Sequence, residues 1–174
     1  FMRLYRLGLL SAANLCGLVG ETTLQQECIA CAEVIGQADC NHNGSKQIVA
    51  LMHLADMIDK EEASHALTKG CGQGMSTFLS YYILKAVHHT ADMKDALEML
   101  CEYYGAMLEK GATTFWEDFD INWAENSCRI DEFPKDNQKD IHGDFGAFCY
   151  KGLRHSLCHG WSAGVLQFIK EECE

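Results

Sequence analysis

Proline is almost absent from this chain. Of its 174 residues, only Pro134 is a proline, where average usage would give roughly nine. Proline breaks helix interiors because it lacks a backbone donor and its ring clashes with the preceding turn. No stretch shows the alternation of apolar and polar residues that is typical of a half-buried strand. The sequence therefore predicts an all-α fold.

Apolar residues recur at helical spacing along most of the chain, and residues that cap helices precede several of these segments. Ser45, Asp59 and Ser76 each stand where a side-chain oxygen can accept a hydrogen bond from the first turn of a helix. Because short loops join the segments, we expect antiparallel helical hairpins. The predicted helices cover residues 2–18, 22–35, 45–58, 59–70, 76–87, 93–108 and 157–170. A long irregular stretch from Gly111 to about Asp144 separates the last two.

The first segment fits two different patterns. As a helix, Met2–Leu18 would be apolar nearly all round, which predicts that it is largely buried. Two arginines also precede an uncharged stretch from Leu7 to Gly20, an arrangement similar to a signal peptide. The favoured interpretation is a buried helix that ends at Gly17 or Gly20, because glycine readily adopts the left-handed conformation that closes a helix.

Charge and composition argue against several classes of protein. The chain has 14 basic and 25 acidic side chains, a net charge of −11. Such an excess repels phosphate groups, so neither a nucleic acid nor an anionic membrane surface is expected as a partner. No apolar run reaches the roughly 18 residues that a membrane-spanning helix needs. With 48% apolar and 22% charged residues, the composition is typical of one globular domain, spanning residues 1–174.

The ten cysteines could suggest a disulfide framework. However, a chain of this length can bury a core without such links, and most of the cysteines lie within apolar helical patterns. We interpret them as buried free thiols in a reducing compartment, which predicts a cytoplasmic protein, with the periplasm as the alternative. Cys28 and Cys31, in CxxC spacing, are likewise interpreted as core thiols, and no metal or cofactor is expected.

Aromatic and acidic side chains stand side by side in the segment that leaves the sixth predicted helix, GATTFWEDFD at residues 111–120. A flat aromatic ring such as Trp116 can stack on the apolar face of a sugar. Carboxylates such as Glu117 and Asp120 can bind hydroxyl groups or transfer protons. The alternative is an ordinary acidic loop whose aromatic residues belong to the core.

A second candidate segment stands at the start of the last predicted helix, SLCHGWSAG at residues 156–164. His159 lies here beside Trp161 and several small residues, a combination that could line a pocket. The alternative is that His159 has a structural role, as isolated histidines often have.

Taken together, these two segments resemble the bacterial α-L-rhamnosidases. GATTFWE is followed some forty residues later by SLCHGWSAG, and SKQIVALMHLADMI, which begins at Ser45, stands in the order that this family uses. These enzymes are glycoside hydrolases whose catalytic domain is an (α/α)6 barrel of six helical hairpins. The resemblance covers nearly the whole chain but only the later half of the barrel, so it implies a single helical domain that forms part of an (α/α)6 toroid.

The resemblance implies roles for individual residues in an inverting hydrolysis of terminal α-L-rhamnosides. The family's general base, which activates water, corresponds to Glu117, and the histidine that contacts the sugar corresponds to His159. Trp116 or Trp161 would supply the stacking face, and Asp120 a further polar contact. Inversion also needs an acid on the opposite face of the sugar. The family's acid comes from an earlier segment with no counterpart before Gly111, so we expect little activity from this chain alone.

Two alternative functions stay open at this point. The chain could belong to another six-hairpin glycosidase, since barrel helices look alike across these families and a fold does not determine its substrate. It could also be a helical interaction module without catalysis. Half a toroid would expose apolar helix faces where the missing hairpins pack, which predicts self-association.

Overall fold

The computed structural model describes residues 2–38, 41–141 and 155–173 of the chain. Within these ranges the fold is all-α, as predicted, with seven α-helices, two short 3₁₀ helices and no β-strand. The 3₁₀ helices are Ile121–Ala124 and Gly160–Ala163. The α-helices are α1 (Met2–Val19), α2 (Thr22–Gly36), α3 (Lys46–Leu54), α4 (Lys60–Thr68), α5 (Ser80–Thr90), α6 (Met93–Glu109) and α7 (Gly164–Glu172).

Helix α5 is the centre of the domain because it packs against α3, α4, α6 and α7. Its residues Ile83, Leu84 and Val87 are fully buried. Consecutive helices also pack in pairs, α1 with α2, α3 with α4 and α5 with α6. The core continues beyond the helices, since the side chains of Trp116 and Phe119 from the irregular stretch are buried in it.

Local capping signals set several helix ends where the sequence predicts them. The side chain of Ser45 accepts a hydrogen bond from the backbone N–H of Ile48, and that of Asp59 accepts one from Glu62. Helix α1 is followed by Gly20, whose φ of +80° is the left-handed conformation expected of a closing glycine. These helix ends are determined by interactions within one turn.

Two helices begin later than predicted, and long-range hydrogen bonds accompany both differences. Helix α5 begins at Ser80 rather than after Ser76, and in the turn before it the hydroxyl of Thr77 donates to the carbonyl of Glu117. The last helix was expected from residue 157 but α7 begins at Gly164. The backbone of His159 is extended, with φ −130° and ψ 115°, and its N–H donates to the carbonyl of Phe115, 2.8 Å away. This segment therefore pairs with the irregular stretch instead of forming a helical turn.

The prediction that the first helix is largely buried is wrong. Of its residues only Ala13 is buried, while Leu15 is 61% and Leu18 85% exposed. Helix α1 packs along α2 and touches α3, but it contributes nothing to the main core cluster. The α1–α2 pair is therefore attached to the side of the domain, with apolar side chains facing solvent.

The cysteines also differ from the prediction in their exposure. All eight described cysteines are free thiols, but only Cys128 is buried, and Cys31, Cys101, Cys158 and Cys173 are exposed. Cys40 and Cys149 lie outside the described residues. Apolar neighbours in the sequence did not lead to burial, because Cys31 and Cys101 lie on the outer faces of α2 and α6 and the other two exposed cysteines lie outside the helices.

The predicted irregular stretch is confirmed from residue 111 to residue 141, where the 3₁₀ helix Ile121–Ala124 is the only helical turn described. Its last predicted residues, 142–144, lie outside the described residues. Gly111 opens the stretch with a φ of +92°, and a Cβ atom there would lie 3.1 Å from the Ile130 side chain. Among the described residues, no helix is both long and apolar enough to cross a membrane.

Candidate functional site

The two candidate segments, distant in sequence, lie side by side in the structure. The backbone N–H of Glu117 donates to the carbonyl of Ser156, and the N–H of His159 donates to the carbonyl of Phe115, each over 2.8 Å. Glu117 and His159, 42 positions apart in the sequence, therefore lie in neighbouring backbone segments. This pairing connects the loop that leaves α6 with the chain that leads into α7.

Side chains reinforce the pairing at one carbonyl group. The backbone oxygen of Glu117 accepts hydrogen bonds from Thr77 Oγ1, at 2.6 Å, and from Trp161 Nε1, at 2.8 Å. We call this arrangement the carbonyl clamp. One residue earlier, the buried hydroxyl of Ser162 donates to the carbonyl of Trp116. The clamp fixes the backbone at Glu117 from two sides.

A cavity of about 480 Å³ opens beside the clamp. Its walls come from α3, from the turn before α5, from the irregular stretch and from the segment before α7. The volume lies within the range of small-molecule sites, which is about 300–1,000 Å³. The lining residues are Gln47, Met75, Ser76, Thr77, Phe78, Glu117, Asp118, Phe119, Asp120, Trp123, His155 and Trp161.

The carboxylate of Glu117 is half-buried and held at one oxygen only. Its Oε2 accepts a hydrogen bond of 2.8 Å from the backbone N–H of Ser156, whereas Oε1 accepts none from the described residues. Arg129 is not the ionic partner of Glu117, because its Nε pairs with Asp131 Oδ1 at 2.9 Å. One oxygen of Glu117 is therefore oriented by the backbone and the other is available to a ligand or water.

Two further carboxylates line the cavity, and each is braced by local hydrogen bonds. Asp120 Oδ1 accepts from the backbone N–H and the side-chain amide of Asn122, at 2.9 and 2.8 Å. Asp118 Oδ1 accepts from the N–H of Phe119 at 2.9 Å. Neither lysine nor arginine is among the lining residues. The cavity therefore carries three carboxyl groups and no compensating cation from its described walls.

The aromatic wall of the cavity differs from the prediction. Trp116 is fully buried and packs edge-on against Phe119, with ring centroids 5.7 Å apart. It does not line the cavity, so its predicted role as a stacking face is wrong for this structure. Trp161 does line the cavity, is 46% exposed and lies against Phe78, with ring centroids 5.1 Å apart. Trp161 and Phe78 are the exposed aromatic side chains of the cavity wall, which Trp123 and Phe119 also line.

The histidine at the cavity also differs from the predicted one. His159 packs against Trp161, with ring centroids 4.3 Å apart, but it is not a lining residue. His155, which the sequence analysis missed, lines the cavity and is 6% exposed. Its ring stacks on that of Trp123, with centroids 5.8 Å apart and planes 17° apart. The only signal in the sequence was its position immediately before SLCHGWSAG.

A separate polar cluster lies near the cavity but does not line it. Lys46 is 4% exposed and its Nζ donates to the carbonyl of Cys71. Burial lowers the pKa of Lys46 to about 8. Glu102 accepts from the thiol of Cys71 and from the N–H of Gly72, which lowers the pKa of this carboxyl group. Among the described residues, no group of three or more potential ligands is placed to hold a metal ion.

Comparisons with protein-family models, with curated proteins and with solved structures found no match to this chain.

Proposed function

We propose that this domain is part of a glycoside hydrolase similar to the inverting α-L-rhamnosidases, and that the cavity beside the carbonyl clamp binds a sugar ring. The observation that carries the proposal is that the two resembling segments meet around one cavity. That cavity combines carboxylates with an open aromatic face. Sugar sites need both, because a ring has apolar faces for stacking and hydroxyl groups for hydrogen bonds.

Glu117 is the proposed general base. Its Oε2 is oriented by the N–H of Ser156, while Oε1 is available to accept a proton from an attacking water. Inversion requires the partner acid on the opposite face of the sugar, with the carboxyl groups about 6.5–9.5 Å apart. In the resembling family that acid comes from an earlier segment of an (α/α)6 toroid. We therefore propose that this chain supplies the base side of the site and that its own hydrolytic activity is slight.

Trp161 and Asp120 are the proposed sugar-binding residues. The indole of Trp161 is fixed by its hydrogen bond to the Glu117 carbonyl, so it presents a face that does not have to be ordered on binding. Asp120 is braced at Oδ1 by Asn122, which leaves its second oxygen for a sugar hydroxyl. His159 would act on the ligand only through Trp161, against which it packs.

Titration of the protein with methyl α-L-rhamnoside, followed by NMR, tests sugar binding. We expect binding by the wild type and a loss of about tenfold or more in affinity for Trp161→Ala. Phe133→Ala is the matched control, because Phe133 is an aromatic residue that is 94% exposed and does not line the cavity. Equal affinity in Trp161→Ala and wild type would contradict the site.

The non-catalytic interaction module is a second candidate, favoured by the exposed apolar side chains of the α1–α2 pair. The two proposals differ in where a ligand perturbs the protein. A sugar should shift NMR signals of residues 115–123 and 155–162, whereas a protein partner should shift those of α1 and α2. Hydrolysis of an aryl rhamnoside at an enzyme-like rate by this chain alone would show that the acid is already present.

A further inference from the structure

We propose that Cys16 and Cys28 are a modification site, at which a low-molecular-weight disulfide such as oxidised glutathione converts the two thiols into a reversible disulfide bond between α1 and α2. Neither cysteine lines the cavity that contains Glu117, so the inference is independent of the proposed function. The bond would fasten α1, which contributes nothing to the main core cluster, to its partner helix and limit how far the two can separate.

The first argument is that the packing of α1 on α2 brings the two cysteines to the same part of the interface. A short turn joins the helices, which pack as an antiparallel pair. A Cβ atom at Gly17 would lie 2.6 Å from Gln25 Nε2, so the residue after Cys16 faces the beginning of α2. Cys28 lies three residues after Gln25, on the same face of that helix.

The second argument is that the two thiols touch. The side chain of Cys28 is in hydrogen-bonding contact with that of Cys16, and both residues are half-buried. A disulfide needs its two Cβ atoms about 3.5–4.5 Å apart. Side chains whose thiols already touch are therefore placed to form the bond without a rearrangement of the helices.

Cys31 is the alternative partner of Cys28, since it stands close enough to contribute to the raised pKa of that thiol. It lies three residues further along α2 and is exposed. Side chains at this spacing on a helix have Cβ atoms about 5–6 Å apart, which is more than the roughly 3.5–4.5 Å of a disulfide. A bond between Cys28 and Cys31 would require α2 to unwind locally, so Cys16 is the favoured partner.

Two other described thiols show a different kind of contact. Cys128 donates to the carbonyl of Glu132 at 3.6 Å, and Cys71 is hydrogen-bonded to the carboxylate of Glu102. Both of these thiols are engaged with oxygen atoms, which cannot form a disulfide. In Cys28 the neighbouring group is the sulfur of another cysteine.

The reaction is a thiol–disulfide exchange in two steps. The thiolate of one cysteine attacks a sulfur of oxidised glutathione, which forms a mixed disulfide and releases one glutathione thiol after protonation. The second thiolate attacks the protein-bound sulfur, which forms the bond between Cys16 and Cys28 and releases the other glutathione. The protein loses two electrons and two protons, and one oxidised glutathione becomes two reduced molecules. Burial and the adjacent Cys16 raise the pKa of Cys28, so the bond should form faster as the pH rises.

The test is oxidation of the folded protein with oxidised glutathione, at low protein concentration and mildly alkaline pH, followed by alkylation of the remaining thiols. Cleavage after glutamate separates the peptide of Cys16 from the peptide that contains both Cys28 and Cys31, and mass spectrometry measures how much of the two is linked. The variant Cys31→Ser keeps the proposed pair, whereas the matched variant Cys28→Ser leaves Cys16 with Cys31. We expect Cys31→Ser to link as wild type does and Cys28→Ser to link about tenfold less or lower.

The same oxidation in concentrated urea is the control for folding. The helices are lost there, so we expect the two variants to link to the same extent. A difference that persisted in urea would overturn the proposal, because it would come from the thiols and not from the fold. Equal linkage of the two variants in the folded protein would also overturn it. So would a wild type that forms no link to Cys16, or whose main product joins Cys28 to Cys31.

Discussion

At the scale of single residues, Glu117 has a structural contact as well as a proposed chemical one. Replacing it by glutamine keeps an oxygen that can accept from Ser156, while replacing it by alanine removes the acceptor altogether. A hydrogen bond to a charged group contributes about 1.5–3 kcal/mol. We expect Glu117→Ala to lower the free energy of unfolding by about that amount, and Glu117→Gln to lower it by less. Chemical denaturation of the three proteins measures the difference.

The glutamine variant also distinguishes a structural role of Glu117 from a catalytic one. In the glycoside hydrolase proposed above, Glu117→Gln should abolish turnover and leave sugar binding in place, because the amide keeps the shape but accepts no proton at the reaction step. Turnover by Glu117→Gln within a few fold of wild type would exclude Glu117 as the base.

Lys46 predicts a dependence of stability on pH. Burial lowers its pKa to about 8 in the folded protein, from 10.5 in the unfolded chain. The unfolded state therefore binds more protons between these values, and stability rises with pH there. We expect the free energy of unfolding to rise by about 1 kcal/mol between pH 7.5 and 9, and this rise should be absent in Lys46→Met.

The pH range of this experiment ends at 9 because a neighbouring thiol has the opposite effect on the free energy of unfolding at higher pH. Burial raises the pKa of Cys71 to about 11, so the folded state retains that proton longer and stability falls as the pH increases above about 9. Parallel pH profiles for wild type and Lys46→Met below pH 9 would show that Lys46 is not the group responsible.

At the scale of helices, local signals could be identified from the sequence and long-range ones could not. The caps at Ser45 and Asp59 act within one helical turn, so three or four consecutive residues are enough to predict them. The start of α7 depends on the bond between His159 and Phe115, which no local pattern records. The exposure of α1 has the same origin, since an apolar sequence does not say which of its faces has a partner.

The sequence predicts some residues of the site and not others. Glu117, Asp120 and Trp161 were identified by a resemblance of two short segments, and all three line the cavity. Trp116 was misassigned because an aromatic residue next to a carboxylate can face the core as easily as a ligand. His155 was missed because what marks it, the stacking on Trp123 and the position at the cavity wall, exists only in three dimensions.

The caps give a direct prediction for helix stability. Asp92 caps α6, the second longest helix, and its side chain accepts from the N–H of Asp95 at 2.8 Å. Asp92→Ala should lower the free energy of unfolding by about 1 kcal/mol. Glu21→Ala is the control, because Glu21 occupies the same position before α2 but makes no capping bond. Equal stability of the two variants would argue against a contribution from the cap.

At the scale of the whole molecule, the α1–α2 pair predicts concentration-dependent association. Its exposed apolar side chains would be shielded from water by a second copy of the chain. We expect the sedimentation coefficient to increase with protein concentration in wild type and to stay constant in the double variant Leu15→Glu, Leu18→Glu. Phe133→Glu, an equally exposed apolar position outside the pair, should behave as wild type.

The carbonyl clamp links residues 40 and 44 positions apart along the chain. Closing loops of that length costs entropy, and the cost is recovered only when all the contacts form together. If α7 detaches from the domain, we therefore expect the whole cavity to be lost. Amide hydrogens at Glu117 and His159, both held by the pairing of the two segments, should then exchange with deuterium as slowly as those of the central helix α5, which makes them reporters of global unfolding.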